Sequence, residues 1–436
     1  MSKFQIITIF IFILAIIAGV TSFALYKGNS GTSSLPAITI WGTFPANTFN
    51  EYVANINSGL TQSMKITYVQ KRADSFNSDF VNALALGQGP DAILIPSDMM
   101  LAEQNKLTQV PFSAFSQREF MDSYIDEAQI YLDSTGAWAI PFTVDPLVMY
   151  WNKDIFNAAG IALYPQYWDE LTGTGVKPGL VQKLTVKDSN GNVRKTAVAM
   201  GDFTNITNAR ELLGSLFLQA GNPVTSRDNS GLIYSTLNTS NSTNSISPAV
   251  QYFSQFANPT SANYSWNRAM SNDKTVFLAG QSAIYFGFAS EILELRAKNP
   301  NLNYDVAPLP QLRSGQKAVY GKMFGFSLVR SSANANATYQ IISTLILPAN
   351  LAALSKTMYL PSVRNDVIAQ GSTNAYITIF NKAALISKTW LDIDPQISRQ
   401  IFSNLTQSLI SGQKNIDQAI RDAADQYSAV LQQAGN

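Results

Sequence analysis

The chain is predicted to be an α/β protein whose parallel sheets are covered by helices and whose length is divided among more than one domain. Three observations predict this. Short β-branched runs alternate with segments of helical period through the first hundred residues, the connections between them are short, and 436 residues exceed what a single hydrophobic core organises.

The first strand is AITIW, 37 to 41, ended by Gly42. Phe49, Tyr52, Val53, Ile56 and Leu60 then recur on one face of a 3.6-residue period, which predicts a helix. MKITYV, 64 to 69, is the second strand, and Asp74 is placed to cap a helix carrying Phe76, Phe80 and Leu84. GQGPDAILIPSD supplies a turn and a third strand over Ala92 to Ile95. In parallel sheets ligands bind beyond the carboxyl ends of strands, which selects Thr43 and Phe44 after the first strand and Asp98 after the third.

Further along, TAVAMG at 196 to 201 reads as a strand feeding the polar turn DFTNITN and a helix with Leu212, Leu213, Leu216 and Phe217. That turn and the start of its helix carry Asn205, Asn208 and Arg210; turn chemistry and an exposed arginine at the helix start are the alternative for Arg210. The Ser, Asn and Thr-rich stretch 225 to 248 reads as a surface loop holding a short hairpin. SAIYFGF (282 to 288), YDVAPLP (304 to 310) and MFGFSLV (323 to 329) are further strands, with Gly321 and Lys322 expected just ahead of the last. The final hundred residues are mostly helical.

Composition excludes several function classes. There is no cysteine and no histidine, so thiol nucleophiles, Cys/His zinc sites, imidazole proton transfer and disulfides are ruled out. A net charge of +1 provides no basic field for nucleic acid. No cofactor or metal is assigned. Ile6 to Leu25 is a run of 20 uncharged residues, close to the ~20 that span a bilayer as a helix and longer than the apolar core of a signal peptide. Residues 1–26 are therefore expected to be an uncleaved anchor and 27–36 a flexible spacer, with the bulk of the chain on the outer face of the membrane.

AIPFTVDPLVMYWNKDIF, 139 to 156, places Asp145 in an otherwise nearly uncharged run, where an isolated carboxylate is costly unless it is paired or hydrogen-bonded. This segment, followed by YWDEL, resembles the most recognisable stretch of the extracellular solute-binding proteins of ABC importers, in the class of sugar and maltodextrin binders. GQGPDAILIPSD resembles that family's Gly-x-Gly-Pro-Asp stretch, DKTVFLAGQSAIYFGF its later strand entry, VAPLP its strand-Pro-x-Pro, and SGQKNIDQAIRDAADQYSAVL its terminal helix. Each motif is weak alone, but their order across residues 37 to 436 is specific. The chain departs from the family in having no lipid-modified cysteine, so any tether is the polypeptide itself.

The resemblance implies a two-lobed periplasmic-binding-protein fold of the type II kind, its lobes discontinuous in sequence, joined by a hinge of several chain crossings and preceded by one transmembrane helix. Crossings are expected near Thr143, Phe286 and Ser327, dividing the chain into 37–143 with 287–326 and 144–286 with 327–436. It also implies that Asp98 and Asp145 face the cleft, and that Trp266, Phe288, Tyr359 and Trp390 lie where the family places aromatics that stack on sugar rings. Gly321 would let backbone approach ligand. The bland readings are a hinge acid for Asp145, a helix cap for Asp98, a lobe plug for Phe44 and core packing for the aromatics.

The function that follows is a monomeric, non-catalytic, membrane-tethered receptor that captures a small solute, a sugar or oligosaccharide, by lobe closure and passes it to permease subunits. Two other readings stay open at this point. One is a carbohydrate-active enzyme using Asp98 and Asp145 as a carboxylate pair, and the other is a surface sensor or adhesin that presents a bound ligand.

Overall fold

A computed structural model describes residues 36–174, 176–228, 231–238 and 244–434. The expected anchor and nearly all of the spacer lie outside the described residues. Among the described residues no single helix is long and apolar enough to cross a membrane.

The opening alternation forms as expected. Strand β1 (Ile38–Gly42) is followed by helix α1 (Ala46–Ser58), β2 (Ile66–Gln70), α2 (Phe76–Ala85) and β3 (Ala92–Pro96). β1 pairs in parallel with both β2 and β3. Helix α1 buries Phe49, Tyr52, Val53 and Ile56, the stripe set by its sequence period. α2 starts at Phe76 after Ser75, and Asp74 is ion-paired with Arg72 instead of capping it.

Beyond these lie β4 (Ile140–Asn152), β5 (Val193–Val198), helix α3 (Ala209–Gln219), β6 (Ser282–Phe288), β7 (Tyr304–Ala307), β8 (Val319–Val329), and two long closing helices, α4 (Pro395–Ile410) and α5 (Ile416–Ala434). The strand order β5-β6-β4-β8-β3-β1-β2 forms one continuous path. β4 holds it together because its two halves have different partners. Ile140 to Pro146 pairs antiparallel with β8, whereas Leu147 to Trp151 pairs antiparallel with β6. β8 in turn pairs with β3 through Phe324 to Leu328.

Two hydrophobic cores flank this junction and define the lobes. The first gathers Ile38 to Val144 with Met323 to Leu354, and the second gathers Leu147 to Tyr320 with Phe402, Leu405, Ala423 and Tyr427 of the closing helices. The chain therefore changes core at Asp145–Pro146 on β4 and at Gly321–Lys322 on β8. A third passage lies between Leu354 and Phe380, since Leu360 packs in the second core and Val363 in the first.

This packing differs from the expected division in one large respect. Residues 287–320 belong with the second core and 328–354 with the first, the reverse of the predicted assignment. The reason is geometric: β6 runs unbroken beside the second half of β4 through Phe288–Leu147, so nothing crosses at Phe286. Gly287 lies within this strand; a Cβ there would lie 2.5 Å from the Tyr285 ring, so glycine provides the space for that ring.

Candidate functional site

A cavity of about 660 Å³ opens between the lobes, within the size range of small-molecule sites. The first lobe contributes Asn77, Asp98, Met99, Ala102 and Lys322; the second contributes Thr207, Asn208, Arg210, Glu211, Phe288, Asp394 to Ile397 and Arg399.

The strands deliver these residues by simple means. β3 is buried along its whole length and stops at Pro96, after which a single 3-10 turn, Ser97–Met99, places Asp98 at its carboxyl end. On the opposite lobe α3 buries nearly every residue, including Arg210, which is 1% exposed. The expected exposed helix-start arginine is thus the most enclosed cation of the site. Its spacing to Leu213, Gly214 and Phe217 puts it on the inward face of the helix, a signal present in the sequence.

Arg210 is held on every side. Nη2 donates to Asp392 Oδ2 at 2.5 Å, Nε to Ser398 Oγ at 2.7 Å, and Nη1 to Glu211 Oε1 at 3.0 Å, Asp98 Oδ2 at 3.3 Å and the Tyr320 hydroxyl at 3.3 Å. The guanidinium lies 4.7 Å from the Trp390 ring centre and 5.5 Å from that of Tyr320. Tyr320 also donates to Asp98 Oδ2 at 2.8 Å, and Tyr427 to Asp392 Oδ1 at 2.8 Å. Burial opposes the arginine charge, and Tyr320, Asp392, Asp98 and Glu211 outweigh it, holding its pKa well above the usual value. Burial raises the Asp392 pKa, with Arg210 and Ser398 offsetting part of the rise. This network ties Asp98 of the first lobe to the second lobe across the cleft.

Asp145 occupies the crossing itself. It is 7% exposed, accepts from the Ser290 N–H at 3.0 Å, and sits opposite Lys322 in the β4–β8 register. Burial pushes its pKa up to about 6, with Ser290 and Lys322 opposing the rise and Glu291 adding to it. It does not line the cavity.

Of the eleven residues singled out in the sequence, Asp98, Asn208 and Phe288 line this space. Asn208 spends its amide on Glu291 Oε1 at 3.0 Å and the Phe286 carbonyl at 3.2 Å, which fixes the start of α3 against β6. The others have structural positions. Phe44, 2% exposed, meets Phe142 and Phe324 edge-on at 5.7 and 5.5 Å and plugs the first lobe. Thr43 bonds through its N–H to the Leu94 carbonyl and stays off the cavity. Trp266 is fully buried and donates to Asn205 Oδ1 at 2.7 Å, while Asn205 donates to the Asn267 and Met270 carbonyls, so the pair closes a loop. Trp390 is 2% exposed beneath Arg210 and donates to Tyr427 at 3.0 Å. Tyr359 takes the left-handed conformation, φ 54°, that terminates helix Pro348–Met358. Gly321 lies inside β8 instead of ahead of it, and its missing side chain makes room for Glu127, whose Oε2 would meet a Cβ at 2.2 Å.

The sequence reading missed Glu211, Lys322, Arg399 and the Asp394 turn as cavity residues. Asp394-Pro395 carried a signal: an acid followed by proline at the first helical position is a helix start, and Asp394 does accept from the Gln396 N–H at 2.7 Å.

Residues 61–352 match the model of the bacterial extracellular solute-binding protein family. The chain belongs to that family. Proteins of Brucella abortus and Brucella suis whose names call them binding proteins are 20% identical over 386 residues, covering 86% of this chain and 87% of theirs. Among solved structures, a cyclo/maltodextrin-binding protein complexed with maltotetraose superposes with a TM-score of 0.70 at 15% identity, covering 91% of this chain and 97% of the other. The sugar-binding protein MalE of Xanthomonas citri gives 0.70 at 17%, covering 91% and 98%. A solute-binding protein of a Thermotoga lettingae ABC transporter, bound with α-D-tagatose, gives 0.67 at 18%, covering 91% and 99%. These likenesses establish the shared two-lobed fold.

Proposed function

We propose that this solute-binding protein captures a sugar in the interlobe cavity and delivers it to the permease subunits of an ABC importer. The observation that carries the reading is the cavity itself, formed by both lobes at the place where β4 and β8 cross between them. Closing such a cleft desolvates the solute against both walls, which couples binding to the relative position of the lobes. Asp98, Asn208 and Phe288 are the proposed contacts from among the residues selected in the sequence, joined by Glu211 and Gln396 on the second lobe. Phe288 provides an aromatic surface for a sugar's C–H face, and the acids and amides around it suit hydroxyl groups. The segment Ile6 to Leu25 would tether the lobes to the outer face of the membrane as a monomer.

The enzyme reading has less support. Asp98 is bound to Arg210 and Tyr320, and Asp145 lies off the cavity, so the two acids do not flank a common space. Thermal unfolding of the full-length chain in mild detergent, with maltotetraose, mannobiose, α-D-tagatose, amino acids and peptides, tests the proposal. A sugar that raises the midpoint in a concentration-dependent way and is recovered intact supports it. Cleavage of that sugar, or shifts produced only by peptides or amino acids, would overturn it.

A further inference from the structure

Glu127 is a buried acid that does not line the cavity. It is 4% exposed, and neither of its carboxyl oxygens has a hydrogen-bond partner. It belongs to the first lobe, on the 3-10 stretch Asp126–Tyr131, whose Ala128 and Tyr131 pack in the first core. What it faces belongs to the hinge and to the second lobe. A Cβ on Gly321, where β8 crosses, would lie 2.2 Å from Glu127 Oε2 and 2.8 Å from the Ser387 Cβ. Ser387 opens the short strand Ser387–Lys388, which runs parallel to β8 beside Val319 and Tyr320, both in the second core. The carboxyl group thus fills a gap between the lobes that glycine leaves open.

Alternation along β8 fixes which side of the hinge this is. The Cβ direction of Gly321 points at Glu127, so Lys322 projects from the opposite face, where it borders the cavity and rests 4.6 Å from the centre of the Phe288 ring. The cavity lies in front of the hinge strand and Glu127 behind it. A rotation that brings the cleft walls together in front of β8 draws Glu127 and Ser387 apart behind it.

Among the described residues no neighbour supplies a counter-charge. Asp98, from the turn after β3, adds a second acid. Tyr131 donates to the Met323 carbonyl at 3.1 Å, Tyr320 to Asp98, and Ser387 to the Ala384 carbonyl at 2.8 Å. Lys388 alternates away from the Ser387 side of its strand. Asp126 is exposed, and on the packed helix Gln117–Ser123 Glu119 is exposed while Arg118 and Asp122 pair with each other in solvent. Burial, eased by Ser387 and reinforced by Asp98, pushes the Glu127 pKa up to about 8. An ionised carboxylate is costly here, and any movement that admits water behind the hinge relieves it.

From this we infer that Glu127 is a proton-linked latch behind the hinge: protonated, it holds the lobes in the arrangement seen here, and ionised, it favours a more closed cleft, so that solute capture releases a proton. The sign follows from linkage. Closure that wets Glu127 lowers its pKa from about 8 toward the ordinary carboxylate range, so affinity rises with pH through that window, about tenfold for each unit of the change.

The chain has no cysteine, so Asn82→Cys on α2 and Gln400→Cys on α4, both exposed and on helices that border the cavity from opposite lobes, give two unique spin-label sites. In the ligand-free full-length chain the distance between the labels should shorten from pH 6 to pH 9, and it should stay fixed with Glu127→Gln, which keeps the shape and removes the charge. Isothermal titration with maltotetraose, mannobiose and α-D-tagatose, in buffers of different ionisation enthalpy, adds a second readout that rests on the sugar reading above. The sugar that binds should gain about tenfold in affinity from pH 6 to pH 9 with net proton release, and Glu127→Gln should abolish both. A label distance that ignores pH, a movement that persists in Glu127→Gln, or an affinity that falls as pH rises overturns the latch. A chain that binds none of these sugars overturns the sugar reading, and the label distances still decide the latch.

Discussion

Arg210→Met removes the one cation that Asp98, Asp392 and Glu211 share while keeping an unbranched chain over Trp390. Two of these carboxylates, Asp98 and Asp392, are no more than 4% exposed, so water cannot replace the lost partner. Breaking a buried ion pair from one side costs about 3–5 kcal/mol, a third or more of what holds a typical domain together. The sign with pH follows from linkage. Burial already raises the folded-state pKa of Asp392, and the guanidinium opposes that rise, so its removal raises the value further. Protonation of Asp392 then favours the folded variant at low pH, and the deficit grows as pH rises through the new folded value. Urea unfolding at pH 7.5 should therefore show the full loss, and unfolding at pH 5 a smaller one. Adding Asp392→Asn to the variant should restore part of the stability at pH 7.5, because one stranded charge is gone. A loss below about 1 kcal/mol, or one of equal size at both pH values, would refute the view that Arg210 is a buried counter-charge.

Glu127 provides a second pH test. Both of its carboxyl oxygens are buried without a hydrogen-bond partner, and burial, reinforced by Asp98 and eased by Ser387, pushes its pKa up to about 8. Because the folded value exceeds the unfolded one, the stability of the wild-type chain falls as pH rises between about 4.5 and 8, and Glu127→Gln should flatten that fall by on the order of 4 kcal/mol. Urea midpoints across this range read the difference, and parallel profiles for the two proteins would count against a neutral Glu127. Asp145→Asn addresses the crossing: with a folded pKa of about 6, the carboxylate loses its stabilising protonated form as pH rises through that value. The amide, still able to accept from Ser290, should leave the protein roughly 1–3 kcal/mol more stable than wild type at pH 8, with sugar affinity little changed because Asp145 does not line the cavity. A binding loss larger than the stability change would make Asp145 a ligand contact.

The first lobe was legible because its signals are local. The period of Phe49, Tyr52, Val53 and Ile56 and the β-branched runs on either side dictate the alternation without reference to the rest of the chain, and β1, β2 and β3 formed where they did. The resemblance placed a crossing near Thr143, and the chain changes core two residues later, at Asp145–Pro146. The crossing that the resemblance placed near Phe286 failed because the strand continues past Gly287, which accommodates a tyrosine ring from its own strand. That continuation depends on where β4 comes to lie, 137 residues away at the Phe286–Met149 pair, and nothing in SAIYFGF encodes it.

The tryptophans show why the site was harder to read than the fold. Trp266 and Trp390 have polar sequence neighbours, as an exposed stacking surface would, yet each indole N–H is satisfied by a distant residue, Asn205 or Tyr427, inside the second lobe. A buried polar aromatic requires polar company, so polarity in sequence marks burial with a partner as readily as exposure. Arg210 extends the same logic to charge. It meets Asp98 across 112 residues and Asp392 across 182, consuming one oxygen of the acid that the strand-end rule selected and covering the aromatic that the resemblance selected.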